Sequence, residues 1–368
     1  MNGQKLKIAI IGTRGIPPFY GGFETFAEEI SRLLVQSGYE VTVQCDKDSY
    51  KDETYNGVKL FYTKCTKSEA PLRYYSEGIN WALKTSDVVI IAGTGGSIFY
   101  LRNLFRHKII ITNTDGIEYQ RSKWSVFHRI YLFISEILAV YLSDYLVADS
   151  SEIKKYLVSR YPGIRKKIRV IEYGGWPNNK LDADILKQYN LEPGKYYLVV
   201  CRLEPENNVE MILDGYIESG SDLPLLVVGR LSDKSYVKML LDMYRSDRIF
   251  FTDGIFSKDI LGTLRKGCKA YLHGHSVGGT NPSLLEAMAN GNVIICHDNR
   301  FNREVTGNSQ LYFSNSAICS SCIREIEKME ESVYNSMAEF SASRIENYYN
   351  WENILAKYNS LLGSFDSF

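Results

Sequence analysis

The sequence predicts an α/β protein built from two Rossmann-like domains whose parallel sheets face one another across a cleft. Three observations carry that expectation. Short continuous apolar runs, the pattern of strands buried on both faces, recur along the chain. Most of these runs end in glycine or a small polar residue, and segments with helical apolar spacing lie between them. The 368 residues suffice for two domains of ordinary size. Hydrophobic residues make up 45% and charged residues 23%, which excludes a disordered chain. Lys+Arg and Asp+Glu both number 43, so net charge gives no reason to expect nucleic acid as a partner.

Lys7 to Ile11 (KIAII) is the first such run, and Gly12 follows at once. The loop GTRGIPPFYGG leads to a predicted helix in which Phe23, Phe26, Ala27, Ile30, Leu33 and Leu34 recur at helical spacing, and Val41 to Val43 supplies the next strand. A strand, loop, helix, strand unit of this kind places ligands at the carboxyl ends of its strands. The alternation continues with Val88 to Ala92 before GTGG, Lys108 to Thr112 before NTDG, Tyr145 to Ala148 before Asp149-Ser150, and Lys167 to Ile171. EYGGWPNNK then carries turn residues without a core pattern and sets the boundary. A second series runs through Tyr196 to Cys201, a helix with Val209, Ile212, Leu213 and Tyr216 on one face, Leu225 to Val228, and Arg248 to Phe251. It ends with a helix over Ser257 to Lys266, the strand Lys269 to His273, and Val293 to Cys296. The expected domains are 1–175 and 176–345, with a helical tail, 346–368, packing back on the first domain.

MNGQKLKIAI passes directly into an apolar run without the cationic region, long apolar core and cleavage site of a signal peptide, so a cytoplasmic location is expected. The most apolar stretch, Ile130 to Leu142, is shorter than the roughly 20 residues of a spanning helix and contains Glu136, which makes it a buried or surface-lying helix. Seven scattered cysteines, an odd number, suit a reducing compartment. Cys319 and Cys322 form one CxxC with no second pair at zinc-ribbon spacing and are expected in a surface turn. Asp46-Lys47-Asp48 and Asp182-Ala183-Asp184 are unconvincing metal signatures, and neither a metal nor a cofactor is expected.

Two loops are candidates for chemistry. A dinucleotide site after the first strand fails on spacing: Gly12 and Gly15 are separated by two residues, and Pro17-Pro18 stands where a tight turn would enter its helix. The stretch His273 to Gly291, HGHSVGGTNPSLLEAMANG, fits an anion better. Gly274, Gly278 and Gly279 allow close backbone approach, Pro282 and Ser283 open a helix, and its first N–H groups and dipole favour a phosphate. Glu286, one turn inside, would meet hydroxyls hanging from that anion. Arg202, at the end of the second series' first strand, offers a fixed cation to the same ligand. An ordinary strand-to-helix connection and a structural salt bridge for Arg202 are the alternatives.

The paired domains, RLEPENN, LLEAMANG and IIGTRGIPPFYGGFET resemble retaining glycosyltransferases of family four, with the GT-B architecture. GTRGIPP.YGGFET, NTDGIEYQRSKW and HGHSVGGTNPSLLEAMA resemble more narrowly the bacterial polysaccharide rhamnosyltransferases. The resemblance implies transfer of a sugar, commonly L-rhamnose from dTDP-rhamnose, to a lipid-diphosphate-linked saccharide in capsule or other cell-surface polysaccharide synthesis. UDP- and GDP-sugars are alternative donors. Donor contacts would then fall to Arg202, Gly279, Thr280, Asn281, Ser283 and Glu286. Two positions depart from the family. The first of its two glutamates separated by seven residues is Gly278 here, and a lysine partner of the arginine is replaced by Asn207 or Asn208. A relative that binds a nucleotide sugar or glycan without turning it over is therefore the alternative.

The first domain's loops would serve the acceptor, with Asp115 as the hydrogen-bond acceptor for its hydroxyl and Glu118 second. In T-D-G, Asp115 also suits a plain turn. Gly12, Arg14, Tyr20, Gly21, Gly22 and Glu24 complete the expected wall. Between Leu101 and Ile130, Arg102, Arg106, Lys108, Arg121, Lys123 and Arg129 interleave with aromatics such as Phe105, Trp124 and Phe127. That mixture suits an anionic membrane surface and a peripheral place at the inner face of the cell membrane. A solvated basic face over an aromatic helix is the alternative.

Overall fold

A computed structural model describes residues 6–19, 21–114, 116, 118–120, 124–177 and 180–365. The chain divides into two compact units, one comprising 1–173 and 351–368 and the other 174–350.

The first unit is built on an eight-stranded sheet: β1 (Lys7–Ile11), β2 (Glu40–Cys45), β3 (Thr54–Tyr55), β4 (Val58–Tyr62), β5 (Val88–Ala92), β6 (Ile109–Asn113), β7 (Tyr145–Ala148) and β8 (Ile168–Val170). Their spatial order is β3-β4-β2-β1-β5-β6-β7-β8. All neighbours run parallel except β3 and β4, an antiparallel edge pair that the sequence reading does not contain. β3 is only two residues long and β4 is half-buried, so neither shows the continuous apolar run that marks the central strands. The helices are α1 (Gly22–Gln36), α2 (Pro71–Thr85), α3 (Val126–Leu142) and α4 (Ser151–Arg160). α1 forms where apolar residues recur at 3.6-residue spacing. Phe26, Ile30 and Leu34 are all at most 1% exposed, and burial of side chains this size contributes about 1.5–3 kcal/mol each.

The second unit holds a six-stranded parallel sheet of β9 (Tyr197–Val200), β10 (Leu225–Val228), β11 (Ile249–Thr252), β12 (Ala270–His273), β13 (Ile294–His297) and β14 (Leu311–Phe313), in the order β11-β10-β9-β12-β13-β14. Its helices are α5 (Ala183–Gln188), α6 (Val209–Ser219), α7 (Ser235–Tyr244), α8 (Lys258–Gly267), α9 (Pro282–Ala289), α10 (Arg300–Thr306), α11 (Ser316–Lys328) and α12 (Glu331–Tyr348). Cys319 and Cys322 lie on α11 with both side chains buried, not in a surface turn. Three-residue spacing puts them on one helix face against α6, where Cys319 meets Gly215, so they are core residues. The final helix, α13 (Trp351–Leu362), belongs to the first unit. Tyr358 sits 6.0 Å from Phe26 of α1, centroid to centroid, and Lys357 pairs with Glu172.

α3 covers the apolar stretch noted above. Only Ser135, Glu136, Ala139 and Val140 are buried, so it lies on the surface of its unit. No helix among the described residues is long and apolar enough to cross a membrane.

At the carboxyl end of β1 the chain needs glycine. Gly12 has φ +89°, and a Cβ there would stand 2.6 Å from the Ala92 carbonyl oxygen on β5. Gly12→Ala is expected to destabilise the protein by at least about 2 kcal/mol, because left-handed backbone strain adds to that overlap. Urea denaturation of the two proteins checks this; an unchanged midpoint and slope would show that the turn relaxes freely.

Candidate functional site

In the second sheet the strand order reverses between β9 and β12. From β9 the chain steps outward through α6 to β10 and then to β11, and α8 carries it back to β12 on the other side of β9. The connections after β9 and β12 therefore diverge, and such a switch point leaves a crevice at the strands' carboxyl ends. Arg202 follows β9, and the HGHSVGGTN loop follows β12. Tyr271, fully buried, ties the two together. Its hydroxyl donates to the Val200 carbonyl at 2.9 Å and lies 3.1 Å from Ser283 Oγ in the first turn of α9.

Asparagine amides hold the loop from beneath. Asn208 Nδ2 donates to the Gly274 carbonyl (2.7 Å), Asn299 Nδ2 to that of His275 (2.9 Å), and Asn302 Nδ2 to those of His275 (3.0 Å) and His297 (2.8 Å). Ser276 bonds through both its amide and its hydroxyl to the Glu206 carbonyl. Asn207 Nδ2 donates to the Arg202 carbonyl at 2.7 Å. Asn207 and Asn208, one of which the resemblance sets in place of a lysine, are thus both backbone clamps. Sequence alone gave no signal for Asn299 or Asn302, which follow β13 well outside the motif.

Above the clamps lies a small concavity, open to solvent, bordered by Gly278, Gly279, Asn281, Asn299 and Asn302. The amides of Gly278 and Gly279 make no hydrogen bond among the described residues, and Thr280 is buried beside them. The start of α9 differs from expectation. Pro282 has no N–H, Ser283 N donates to Asn281 Oδ1 (3.0 Å), and Leu284 N and Leu285 N donate to the Asn281 carbonyl. The helix dipole still points into the concavity, but the free donors belong to the glycine loop.

Arg202 is exposed, and no carboxylate forms an ion pair with it among the described residues, so the structural salt bridge is absent. Glu286 does not stand alone: its Oε2 lies 2.5 Å from Nη2 of Arg265 on α8, a side chain only 5% exposed. Oε1 of Glu286 has no hydrogen bond among the described residues, so it can accept one from a hydroxyl. Sequence gives no signal for Arg265, which lies in the last turn of α8, far from either motif. His273 is 1% exposed and stacks on His275, with ring centroids 4.4 Å apart at 10°. Burial, with a smaller contribution from His297, pushes its pKa down to about 3. It is neutral at ordinary pH.

In the first unit, Gly12 N donates to Gln44 Oε1 (3.1 Å), and the Gly12 carbonyl accepts from Lys67 Nζ. Glu24, expected on the wall, is 5% exposed, and its Oε1 accepts from Arg14 N at 2.9 Å. It braces the loop from inside. Gly21 precedes α1 as its cap in extended conformation, and Gly22 is the helix's first residue. Glu118 is half-buried and accepts from Trp124 Nε1 at 3.1 Å. Tyr20 and Asp115 lie outside the described residues. Asp182 caps α5 through the amides of Asp184 and Ile185, and among the described residues no group of three or more His, Cys, Asp or Glu is placed to hold a metal ion.

Two outcomes follow from this geometry. Asn302→Ala removes two bonds to carbonyls and should cost about 2 kcal/mol, seen as a lower melting temperature. A melting curve matching the parent would show that the loop is held without it. His273 supplies the second. Its unfolded imidazole takes up a proton below about 6.5, whereas the folded one stays neutral to about 3. The stability it allows is full above pH 6.5 and drains as pH falls toward 3, with a slope approaching ~1.4 kcal/mol per pH unit. His273→Phe should flatten that part of the stability curve in denaturant titrations; identical acid sensitivity in both proteins would show that the ring is not held neutral.

Residues 5–175 match the family described as "Domain of unknown function (DUF1972)", and residues 182–347 match "Glycosyl transferases group 1". The uncharacterized glycosyltransferase MJ1069 of Methanocaldococcus jannaschii is 23% identical over 321 residues, covering 79% of this chain and 81% of that protein. Among solved structures, sucrose-phosphate synthase from Thermosynechococcus elongatus superposes with a TM-score of 0.80 at 15% identity, covering 99% of this chain and 100% of that one. Anabaena Alr3699/HepE, in complex with UDP and glucose, gives 0.78 at 15% identity and covers 98% of this chain and 100% of its own. The chain thus has the two-domain GT-B fold, and its residues 182–347 match the glycosyl transferases group 1 family.

Proposed function

We propose that this chain is a retaining glycosyltransferase that moves L-rhamnose from dTDP-rhamnose to a lipid-diphosphate-linked saccharide at the inner face of the cell membrane, in cell-surface polysaccharide synthesis. The observation that carries the donor half is the convergence, at one switch point, of an exposed Arg202 without an ion pair and the unbonded amides of Gly278 and Gly279. Breaking the bond between a sugar's anomeric carbon and a nucleoside diphosphate leaves charge on the diphosphate oxygens. A fixed guanidinium and backbone amides stabilise that charge as it develops, which is the contribution that lowers the barrier. Asn281 borders the concavity, Thr280 and Ser283 flank it in sequence, and Glu286, with one oxygen held by Arg265, offers the other to a hydroxyl of the donor. HepE's complex holds UDP and glucose, a parallel for the class of donor. The choice of rhamnose and dTDP rests on the resemblance carried by GTRGIPP.YGGFET, NTDGIEYQRSKW and HGHSVGGTNPSLLEAMA.

For the acceptor, Asp115 takes the proton from the attacking hydroxyl, with Glu118 as the second candidate. The reaction as proposed needs neither a metal nor a cofactor.

The test is transfer from a panel of dTDP-, UDP- and GDP-sugars to a lipid-diphosphate-linked glucosyl or N-acetylglucosaminyl acceptor. Turnover with dTDP-rhamnose is expected. Arg202→Ala should lower kcat/KM by about a hundred-fold or more, as expected for lost transition-state charge stabilisation, and Glu286→Ala should weaken donor use. Asp115→Ala should abolish turnover while nucleotide binding, read by calorimetry, persists. Donor binding with no transfer across the panel would instead identify a binding protein, the reading that Gly278 favours. Neither binding nor transfer would overturn both.

A further inference from the structure

The first unit carries an apolar surface with no described partner, built from two elements in contact. Residues Ser97–Phe105 form a 3-10 helix directly after the Gly93–Gly96 loop of β5. With three residues per turn, every third side chain falls in one row. Ser97 and Tyr100 make the buried row, and Ile98, Leu101 and Leu104 make another, exposed by 45%, 45% and 60%. Phe105 at the end is 87% exposed. Against this helix lies α3, fastened by Ser97 Oγ donating to the Ser135 carbonyl (2.7 Å) and by Tyr131 donating to the Gly95 carbonyl. α3 turns Phe127, Ile130 and Ile134 outward on one stripe, exposed by 85%, 52% and 50%. An amphipathic surface helix normally shows solvent its polar face, and here the outward face is apolar.

The charge carried by the two elements has one sign. Arg102, Arg106 and Arg129 lie on or beside them, and the only carboxylate within residues 97–108 and 124–142 is Glu136, while Lys108 at the edge pairs with Asp87 at 3.5 Å. Glu136 is buried, and Tyr161 donates to it at 2.5 Å. Arg102 is anchored to Ser76 and lies over the Phe99 ring, whereas Arg106 is exposed with no ion pair among the described residues. Apolar side chains flanked by cations, with no exposed carboxylate on either element, complement a bilayer rich in anionic headgroups. A protein partner would need acidic residues around an apolar centre, and a second copy of this patch would bring like charges together.

We infer that the face formed by residues 97–106 and the first half of α3 docks on an anionic lipid bilayer, with Leu104, Phe105 and Phe127 entering the boundary between headgroups and acyl chains. This sharpens the broader basic and aromatic stretch expected from sequence, since Tyr100 is buried and Trp124 half-buried. Both elements follow loops at the carboxyl ends of strands, after β5 and β6, so docking would bring the first unit's proposed acceptor loops to the bilayer. The inference rests on the proposed function only for that purpose, not for the binding itself.

The test is co-sedimentation of the full chain with vesicles of phosphatidylcholine alone and of phosphatidylcholine with phosphatidylglycerol. Binding is expected to the anionic vesicles, falling as salt is raised, because each cation near the surface adds about a five-fold gain in partitioning. A Phe105→Ser/Phe127→Ser double variant should bind about a hundred-fold more weakly, and Arg106→Glu should lose binding to anionic vesicles. All these positions are exposed, so an unchanged circular dichroism melt confirms folding. If the melt does change, Leu104→Ser alone is the substitute variant. Equal binding to both vesicle types, or wild-type binding by the double variant, would overturn the inference. So would a concentration-dependent dimer, read by sedimentation velocity, that the double variant abolishes while neither protein binds vesicles. Vesicle binding is read without donor or acceptor, so its failure leaves the transferase reading standing, and failure of transfer leaves the docking result standing.

Discussion

The strand order of the second sheet is the constraint on which the candidate site depends. β9 and β12 are neighbours although three helices and two strands separate them in sequence, and the chain leaves their ends in opposite directions. Only there can Arg202 and the glycine loop sit at one edge without a crossover helix between them. The Tyr271 hydroxyl then fixes the spacing of the two strand ends through the Val200 carbonyl and Ser283 Oγ. A buried tyrosine whose hydroxyl is satisfied in this way is apolar packing and a polar fastener at once.

What the strand order brings together, the asparagines keep rigid. A loop of small residues loses much backbone entropy on ordering and has few contacts of its own to offset that cost. Here its carbonyls point down to Asn208, Asn299 and Asn302, each bond contributing about 1 kcal/mol and each broken one leaving a buried acceptor unsatisfied. With the carbonyls taken from below, the amides of Gly278 and Gly279 are left to bind something else. Donors fixed in this way would meet an anion without reorganisation, which is how backbone amides act at the moment of need.

The fold was legible in the sequence wherever burial on both faces makes a strand a continuous apolar run. KIAII, VVIIA, YLVA and LLVV all fall on observed strands for that reason. β3, β4 and β14 are not legible: they lie toward sheet edges, are two to five residues long, and are largely exposed or half-buried. The glycine loop was legible because its residue types carry the backbone chemistry themselves. Its supports were not. Arg265, Asn299 and Asn302 act across long sequence separations, and nothing in their neighbours' identities marks them. Glu24 is a similar case: its burial and its bond to Arg14 N, a loop-bracing role, leave no mark in the sequence around it.

Gly278 shows how a side-chain change and a backbone change can be one event. A Cβ at this position would meet nothing within 4 Å, so space does not exclude a larger residue. Its φ of +125° does, because a side chain there strains the backbone in a region that L-residues rarely enter. A glutamate restored at 278 would therefore refold the turn that presents the two free amides rather than simply add a carboxylate to it. The remaining carboxylate cannot move to compensate. Glu286 is tied to a buried guanidinium, and releasing it would leave Arg265 as an uncompensated charge in the interior. One oxygen of Glu286 is thereby committed to the fold and the other is held in a fixed place. The glycine loop and the first turns of α9 thus present a rigid backbone face and a single positioned carboxylate oxygen, a pattern set by the fold itself.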